Sequence, residues 1–355
     1  MGRGGQGGTQ RVQGRDIIVI GTSAGGVEAL SEIVAGLPGD FPASVFVVLH
    51  TSPQSPSVLA DILDRAGPLP ARYAVDRERI KPGRVYVAPA DWHLVVEPTR
   101  VRLTRGPKEN RFRPAVDPLF RSAAQAYGPR VVGVILTGGL NDGTSGLLAV
   151  KQLGGTAIVQ DPREAFIPSM PQSALGHVEV DYCLPLREIA PRLVRLANSQ
   201  ADEGEGVREV PEKLEIEVKI AKADHAAEAG VLKLGDPSLY ACPDCHGVLL
   251  RVDDAALLRF RCHTGHAYTL EALLSVMDEK IEDALWNAVR AIEERVMLTR
   301  HAADHARDGG DGDGSETRLR GRAEAAQRRA DLIRQALTEH AHENGSKAAE
   351  EPTGT

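Results

Sequence analysis

Two stretches of this 355-residue chain carry residue types at spacings that suit chemistry. The first is Gly21-Thr22-Ser23-Ala24-Gly25, inside DIIVIGTSAGG. A serine between small residues, placed where an apolar run meets an amphipathic one, fits the G-x-S-x-G turn that lifts a hydroxyl above a sheet edge. Backbone N–H groups at the start of the following helix can then hold an oxyanion. A glycine-rich turn of this kind also suits a dinucleotide pyrophosphate, but that fingerprint requires a glycine where Ser23 stands. The second stretch is YACPDCHGVLLRVDDAALLRFRCHTGHAYTL, in which Cys242-x-x-Cys245 is followed by Cys262-x-x-x-His266. Two thiolates from a C-x-x-C turn and a second pair some 16 residues on make the ligand set of a closed structural zinc ribbon. His246 and His263 compete for the place of His266 as the fourth ligand.

A serine nucleophile needs a base, and the base needs a carboxylate that fixes its tautomer. Of His50, His93 and His177, only His50 ends an apolar run, SVFVVLH, which puts it at the same sheet edge as Ser23. The bland alternative is a histidine that caps its strand. Asp142 follows the next buried run, in VVGVILTGGLNDGTSG, where its alternative role is a helix N-cap. Ser145, in the same loop, is a rival nucleophile but reads more simply as a residue of the next helix. Three strand ends thus supply a serine, a histidine and an aspartate.

The elements that must position them are legible from the hydrophobic pattern. DIIVI, SVFVVLH, RVYVAPA, VVGVILTGG and GGTAIVQD are nearly continuous apolar runs, as strands covered on both faces must be. Helix-like stretches lie between them: VEALSEIVAG, SVLADILDRA, DPLFRSAAQAYG, TSGLLAVKQLG and LREIAPRLVRLA. The alternation predicts an α/β fold with a doubly wound, mostly parallel sheet. In RVYVAPADWHLVVEPTRVRLTRG three strand-like runs follow one another, which predicts an antiparallel meander or edge.

The run IGTSAGG, the strand VVLH, the segment NRFRPAVDPLF and the loop ILTGGLNDG, in this order, resemble the catalytic domain of the bacterial chemotaxis protein-glutamate methylesterases (CheB type). The resemblance covers about residues 15 to 198. It implies that Ser23, His50 and Asp142 form a catalytic triad that hydrolyses glutamate methyl esters on methyl-accepting receptors, and that glutamine deamidation accompanies this activity. It also implies an acyl-enzyme on Ser23, an oxyanion held by N–H groups near Ala24 and Gly139, and no cofactor for catalysis. Arg111 and Arg113, in the NRFRPAVD segment, become candidates for an acidic substrate cleft; pairing with Asp117 or other carboxylates is their alternative. The family's usual loop has methionine where Gly139 stands. Family members with an N-terminal receiver domain are controlled by its phosphorylation, and only a short tail precedes Asp16 here, so control is expected from a separate receiver or signalling partner.

Composition bounds the rest. A hydrophobic content of 42%, a charged content of 26% and a net charge of -7 suit a soluble globular protein and give no basis for a nucleic-acid partner. No apolar run is long enough for membrane insertion and no secretory signal is present, so a cytoplasmic location is expected. The four cysteines, three of them crowded together, suit a metal site in a reducing compartment. The expected parts are a disordered tail (1–14), the catalytic domain (15–198), a linker (199–236), the zinc module (237–270), a helical hairpin (271–342) and a second tail (343–355). Leu270, Leu274, Met277, Ile281, Leu285, Val289, Ile292 and Val296 form the apolar stripe of the first hairpin helix. Cys183 reads as a buried strand residue. The competing functional reading is a noncatalytic adaptor whose ribbon and helices bind partners.

Overall fold

The computed structural model describes residues 14–199, 209–222, 226–254, 257–308 and 314–349. The expected N-terminal tail up to residue 13, residues 200–208 and 223–225 of the expected linker, and the last six residues lie outside the described residues. The chain divides into two units, Met1–Leu273 and Leu274–Thr355.

The first unit begins with β1 (Ile17–Thr22), α1 (Gly26–Ala35), β2 (Ser44–Leu49), α2 (Leu59–Ala66), β3 (Ala71–Tyr73) and β4 (Arg84–Val87). A hairpin of β5 (His93–Glu97) and β6 (Arg100–Thr104) leads to α3 (Val116–Tyr127). Then come β7 (Val131–Ile135), α4 (Thr144–Gln152), β8 (Thr156–Gln160), α5 (Ser169–His177), β9 (Tyr182–Leu184) and α6 (Leu186–Ala197). Seven strands form one sheet in the order β3-β4-β2-β1-β7-β8-β9, every neighbouring pair parallel. The chain winds outward from β1 first through β2 and later through β7, so the strand order reverses at β1. In such sheets ligands bind at the carboxyl edge beside that reversal.

The continuous apolar runs have a direct cause. Alternate residues of β1 face opposite layers: Ile17 and Val19 join one core with α3, α4 and α5, while Ile18 and Ile20 join the other with α1, α2 and α6. β2 and β7 divide in the same way. Strands buried on both faces have no place for the polar residues of a half-exposed strand.

Three expectations are corrected. The three runs around residues 84–104 do not form a meander: β4 joins the parallel sheet between β3 and β2, and only β5 and β6 pair antiparallel, in a separate hairpin. Cys183 lies in β9 but is exposed, because β9 is the edge strand. The expected linker contains α7 (Glu212–Ala221), which buries Leu214 and Val218 in one core of the sheet and Ile216 and Ile220 in a smaller cluster with Leu250 and Val252. The alternation of charged and apolar residues in EKLEIEVKIA conceals a helix with buried residues on two sides.

After the short α8 (Ala226–Ala229), the Cys/His stretch folds as β10 (Asp236–Ala241), β11 (Val248–Asp254), β12 (Leu257–Cys262) and β13 (Ala267–Thr269), an antiparallel sheet in that order. It belongs to the first unit, and a buried ionic network ties it to the parallel-sheet domain. Arg121 of α3 meets Glu109 and lies 3.6 Å from Glu217 of α7. Arg261 of β12 reaches Glu109 at 2.9 Å and Glu217 at 3.2 Å, and Arg259 reaches Glu217 at 2.6 Å.

The second unit is a hairpin of α9 (Leu270–Asp308), from Leu274 onward, and α10 (Ser315–Ala349). Val296 packs on Ala323 and Ala326, and Arg320 donates to Asp304 at 2.8 Å. Of the expected stripe, Val289 and Val296 are buried, while Leu274, Met277 and Ile281 are exposed. No helix among the described residues is long and apolar enough to cross a membrane.

Candidate active site and metal centre

β1 and β2 pair in register with Thr22 opposite Leu49, and the ladder continues one step as the His50 N–H donates to the Thr22 carbonyl at 3.2 Å. Ser23 and His50 are therefore the next residues out on adjacent strands, whose spacing is about 4.8 Å. β7 flanks β1 on its other side, and the loop after it is bonded to the serine turn through Thr137. The Thr137 carbonyl accepts from the Ser23 N–H at 3.0 Å and from Thr22 Oγ1 at 2.8 Å, while Thr137 Oγ1 donates to the Ala24 carbonyl at 2.9 Å. The same loop carries Asp142. The topology thus brings together the three residues that the sequence singled out separately.

His50 and Asp142 are hydrogen-bonded, Nε2 to Oδ2, at 2.7 Å, with side chains 2% and 1% exposed. Asp142 Oδ2 also accepts from the Val116 N–H at 2.6 Å, and Oδ1 accepts from the Asp117 N–H at 3.3 Å and from Asn110 Nδ2 at 3.0 Å. Val116 and Asp117 open α3, so the carboxylate sits where a helix has unpaired donors and a positive dipole end. Burial opposes its ionisation, but the bonds from His50, Val116 and Asn110 together hold the Asp142 carboxyl below the usual range. Asp117 takes the opposite course. Burial and then the charge of Asp142 push its carboxyl up. The two acids are thereby separated into an ionised one that faces the histidine and a neighbour that holds its proton more firmly.

An ionised Asp142 obliges His50 to donate through Nε2, which leaves Nδ1 with its lone pair. That nitrogen is buried and has no hydrogen-bond partner among the described residues. The His50 ring lies flat against Phe112, centroids 3.8 Å apart and planes 3° from parallel, which fixes its plane. Ser23 is half-buried, and its hydroxyl makes no hydrogen bond among the described residues. The N–H groups of Ala24 and Gly139 are likewise free of hydrogen bonds there. A histidine nitrogen without a donor, a serine hydroxyl without an acceptor and unbonded N–H groups in the serine turn and the loop bonded to it are parts that acyl transfer can use.

Gly138 lies against the serine. A Cβ there would stand 2.2 Å from Met170 Sδ and 2.8 Å from Ser23 Cβ. Gly138→Ala is therefore expected to displace Ser23 and, with Ser23 as the reacting group, to lower kcat/KM at least about tenfold, since small displacements of a reacting group are costly; steady-state kinetics on an activated ester check this. At Gly139, where relatives were expected to carry methionine, a Cβ would meet open space.

The other sequence candidates fall elsewhere. His93 is buried and bonded to the Pro107 carbonyl and the Ala115 N–H, and His177 bonds the Ser173 carbonyl within α5. Ser145 is buried in the first turn of α4. Asp142 precedes Gly143, the residue that caps α4, and does not itself act as that cap. Arg113 spends its guanidinium on Asp91 at 2.7 Å and on the carbonyls of Arg105 and Gly106. Arg111 is half-buried in left-handed backbone at φ 78°. Sequence reasoning missed Phe112 and Asn110 as neighbours of the histidine and the aspartate. Their one signal was membership of the NRFRPAVD segment.

Cys242, Cys245, Cys262 and His266 bring one ligand atom each within 4.8 Å of all the others. Cys245 and Cys262 are 3.6 Å apart at sulfur, and His266 Nδ1 lies 3.7 Å from Cys242 Sγ and 3.6 Å from Cys262 Sγ. These separations match the edges of a tetrahedron around an ion with metal–sulfur bonds of about 2.3 Å, for which sulfur–sulfur edges are about 3.8 Å. Of the three histidines, His266 is the one that joins the sulfurs; His246 and His263 are exposed and are not part of this cluster. The cluster can hold a metal ion.

The family model described as CheB methylesterase matches residues 18–193. The chain is 39% identical over 189 residues to a Leptospira interrogans protein named "Putative protein-glutamate methylesterase/protein-glutamine glutaminase", covering 53% of this chain and 98% of that protein. It is 40% identical over 184 residues to the protein-glutamate methylesterase/protein-glutamine glutaminase of Thermotoga maritima, covering 51% of this chain and 54% of that protein. Among solved structures, the catalytic domain of the Thermotoga maritima CheB methylesterase matches 51% of this chain and 98% of its own length at 40% identity, with a TM-score of 0.49. The chain belongs to the CheB methylesterase family.

Proposed function

We propose that the chain is a serine hydrolase that cleaves the methyl esters of glutamate side chains on receptor-like signalling proteins and also deamidates glutamine. The observation that supports the reading is the register of β1 and β2, which makes Ser23 and His50 the next residues out on adjacent strands, together with a His50 Nδ1 that has no hydrogen-bond partner among the described residues. His50 Nδ1 takes the Ser23 proton as Oγ attacks the ester carbonyl, and the N–H groups of Ala24 and Gly139 receive the oxyanion. His50 returns the proton to the leaving methoxide, which departs as methanol. Water, deprotonated by His50, then attacks the acyl-serine, and His50 passes that proton to the departing Ser23 Oγ as the glutamate product leaves and ionises. Asp142 keeps the imidazole in the required tautomer and stabilises its charge. The names of the relatives support the substrate class.

We assign residues 15–198 to this hydrolase domain, 237–270 to the metal module and 271–342 to the helical hairpin. The three thiols in one metal-ligand cluster suit a reducing compartment, and we place the protein in the cytoplasm. The ion is zinc in a structural role: three sulfurs and one nitrogen close the tetrahedron and leave no position for a catalytic water. Metal analysis of the gently purified protein is expected to find about one zinc per chain, and Cys245→Ser is expected to lose it.

A serine-directed fluorophosphonate tests the nucleophile. The expected result is one label per chain, on Ser23, absent from Ser23→Ala and sharply slowed in His50→Ala. A folded wild-type protein that takes no label would instead favour an adaptor without turnover.

A further inference from the structure

The metal module and Asp142 are joined by one buried side chain. Asn110 is 2% exposed and in left-handed backbone, φ 48°. Its N–H donates to the Ala267 carbonyl at 2.8 Å, and its Oδ1 accepts from the Thr269 N–H at 3.0 Å. With both groups bound to β13, its amide nitrogen is turned onto Asp142 Oδ1 at 3.0 Å and Asp117 Oδ2 at 3.3 Å. A second connection runs beside it: Thr269 Oγ1 donates to Asn141 Oδ1 at 2.6 Å, one residue before Asp142, and Asn141 Nδ2 donates to Glu271 at 2.6 Å.

β13 in turn follows directly on the cysteine–histidine cluster. The ligand His266 immediately precedes Ala267, and its carbonyl accepts from the N–H of the ligand Cys262 at 3.0 Å. Between the two ligands, Gly265 occupies left-handed backbone at φ 99° and its carbonyl accepts from Arg261 at 2.8 Å. The Lys108 carbonyl receives the Ala267 N–H at 3.2 Å, so residues 108–110 meet the start of β13 through a single parallel bridge at Glu109 and Ala267.

We propose that Asn110 is a positioning residue for the catalytic aspartate, and that the metal-bound module sets the activity of the hydrolase by holding Asn110 against Asp142. The inference rests on the hydrolase reading above and deepens it. An amide whose oxygen is anchored by the module cannot rotate without losing the Thr269 bond, so its NH2 group faces the carboxylate. Metal loss releases the Cys262–His266 turn, frees β13, and withdraws one of the four donors that keep Asp142 ionised and aimed at His50. The module is thereby a control point: whatever removes or oxidises the metal ligands lowers turnover at an intact serine.

The test uses the full chain with and without a zinc chelator, alongside Asn110→Ala. Four readouts are taken: zinc content, kcat and KM on a small activated ester, far-UV circular dichroism, and the far-downfield proton resonance of the His50–Asp142 hydrogen bond. The expected result on chelation is retained secondary structure, kcat lowered at least about tenfold with KM changed less than about threefold, and a downfield proton that shifts or exchanges away. Asn110→Ala with its metal bound is expected to reproduce both changes, and chelating that variant adds little further, since the two perturbations act through one contact. Zinc removed with kcat and the downfield proton unchanged would overturn the proposal. So would an Asn110→Ala variant that is merely less stable, with kcat and the proton as in wild type. If chelation unfolds the chain, the metal-loaded variant decides alone. If the wild type lacks esterase activity, the hydrolase reading fails while the proton resonance still reports on the coupling.

Discussion

Asp142→Asn is expected to lower kcat by about three to four orders of magnitude, as tautomer-reversing substitutions in Ser-His-Asp triads do, while leaving the fold in place. The reason lies in the four groups around the carboxylate. His50 Nε2, the Val116 N–H, the Asp117 N–H and Asn110 Nδ2 all donate. A carboxylate accepts from all four; an amide must turn its NH2 group toward one pair of them. Facing His50, that group forces the ring to accept at Nε2, which puts the proton on Nδ1 and removes the base that Ser23 requires. Facing Asn110, it opposes the amide and the Asp117 N–H instead. Steady-state kinetics with a circular-dichroism control check the prediction, and a loss of less than tenfold would remove Asp142 from its assigned role.

The second large effect concerns stability. Arg121→Met is expected to destabilise the first unit by about 3–5 kcal/mol, the usual cost of leaving buried charges without their partner. The melting temperature should fall by an amount on the order of 10 °C. Arg121 is 1% exposed and faces Glu109, Glu217 and, at 4.0 Å, Asp117. The network also gives stability a defined acid dependence. Burial alone would raise Glu109 and Glu217, but the Arg121 charge, with Arg261 and Arg259, outweighs it and holds both carboxyls below their ordinary value of 4.5. For an acid whose folded-state value is depressed, the stabilisation is present above the unfolded value and is lost as pH falls through the folded one. Wild-type stability should therefore decline below about pH 4.5. Arg121→Met should lose much of that slope, because its two glutamates no longer ionise so readily. Thermal melts across pH 3–7 read both effects.

The parts of this molecule that were legible in the sequence are those fixed by local chemistry. β1, β2 and β7 declare themselves because burial on both faces excludes polar residues, and Ser23, His50 and Asp142 stand out because each follows such a run. The C-x-x-C spacing marks the cysteine cluster that could hold a metal for a similar reason, since a short turn must aim two thiols at one point. The relations between distant segments were not legible. Nothing local to DIIVI says that its neighbours are β2 and β7, yet this pairing is what unites the three residues. Asn110 and Phe112 acquire their positions from contacts with β13 and the His50 ring, so their types alone carried no signal. His266 could be separated from His263 only once the turn after Cys262 was folded, and α7 was concealed because its buried residues face two cores. The exposure of Cys183 follows from the position of β9 at the sheet edge, which depends on strand order.

The most direct test of the account is methanol release from a methylated receptor signalling domain by the wild-type chain and by Ser23→Ala at equal concentration. The account predicts release by the wild type and a loss of at least about 1,000-fold on removal of the hydroxyl, in keeping with the cost of deleting a catalytic serine. Release that persists undiminished in Ser23→Ala would contradict it.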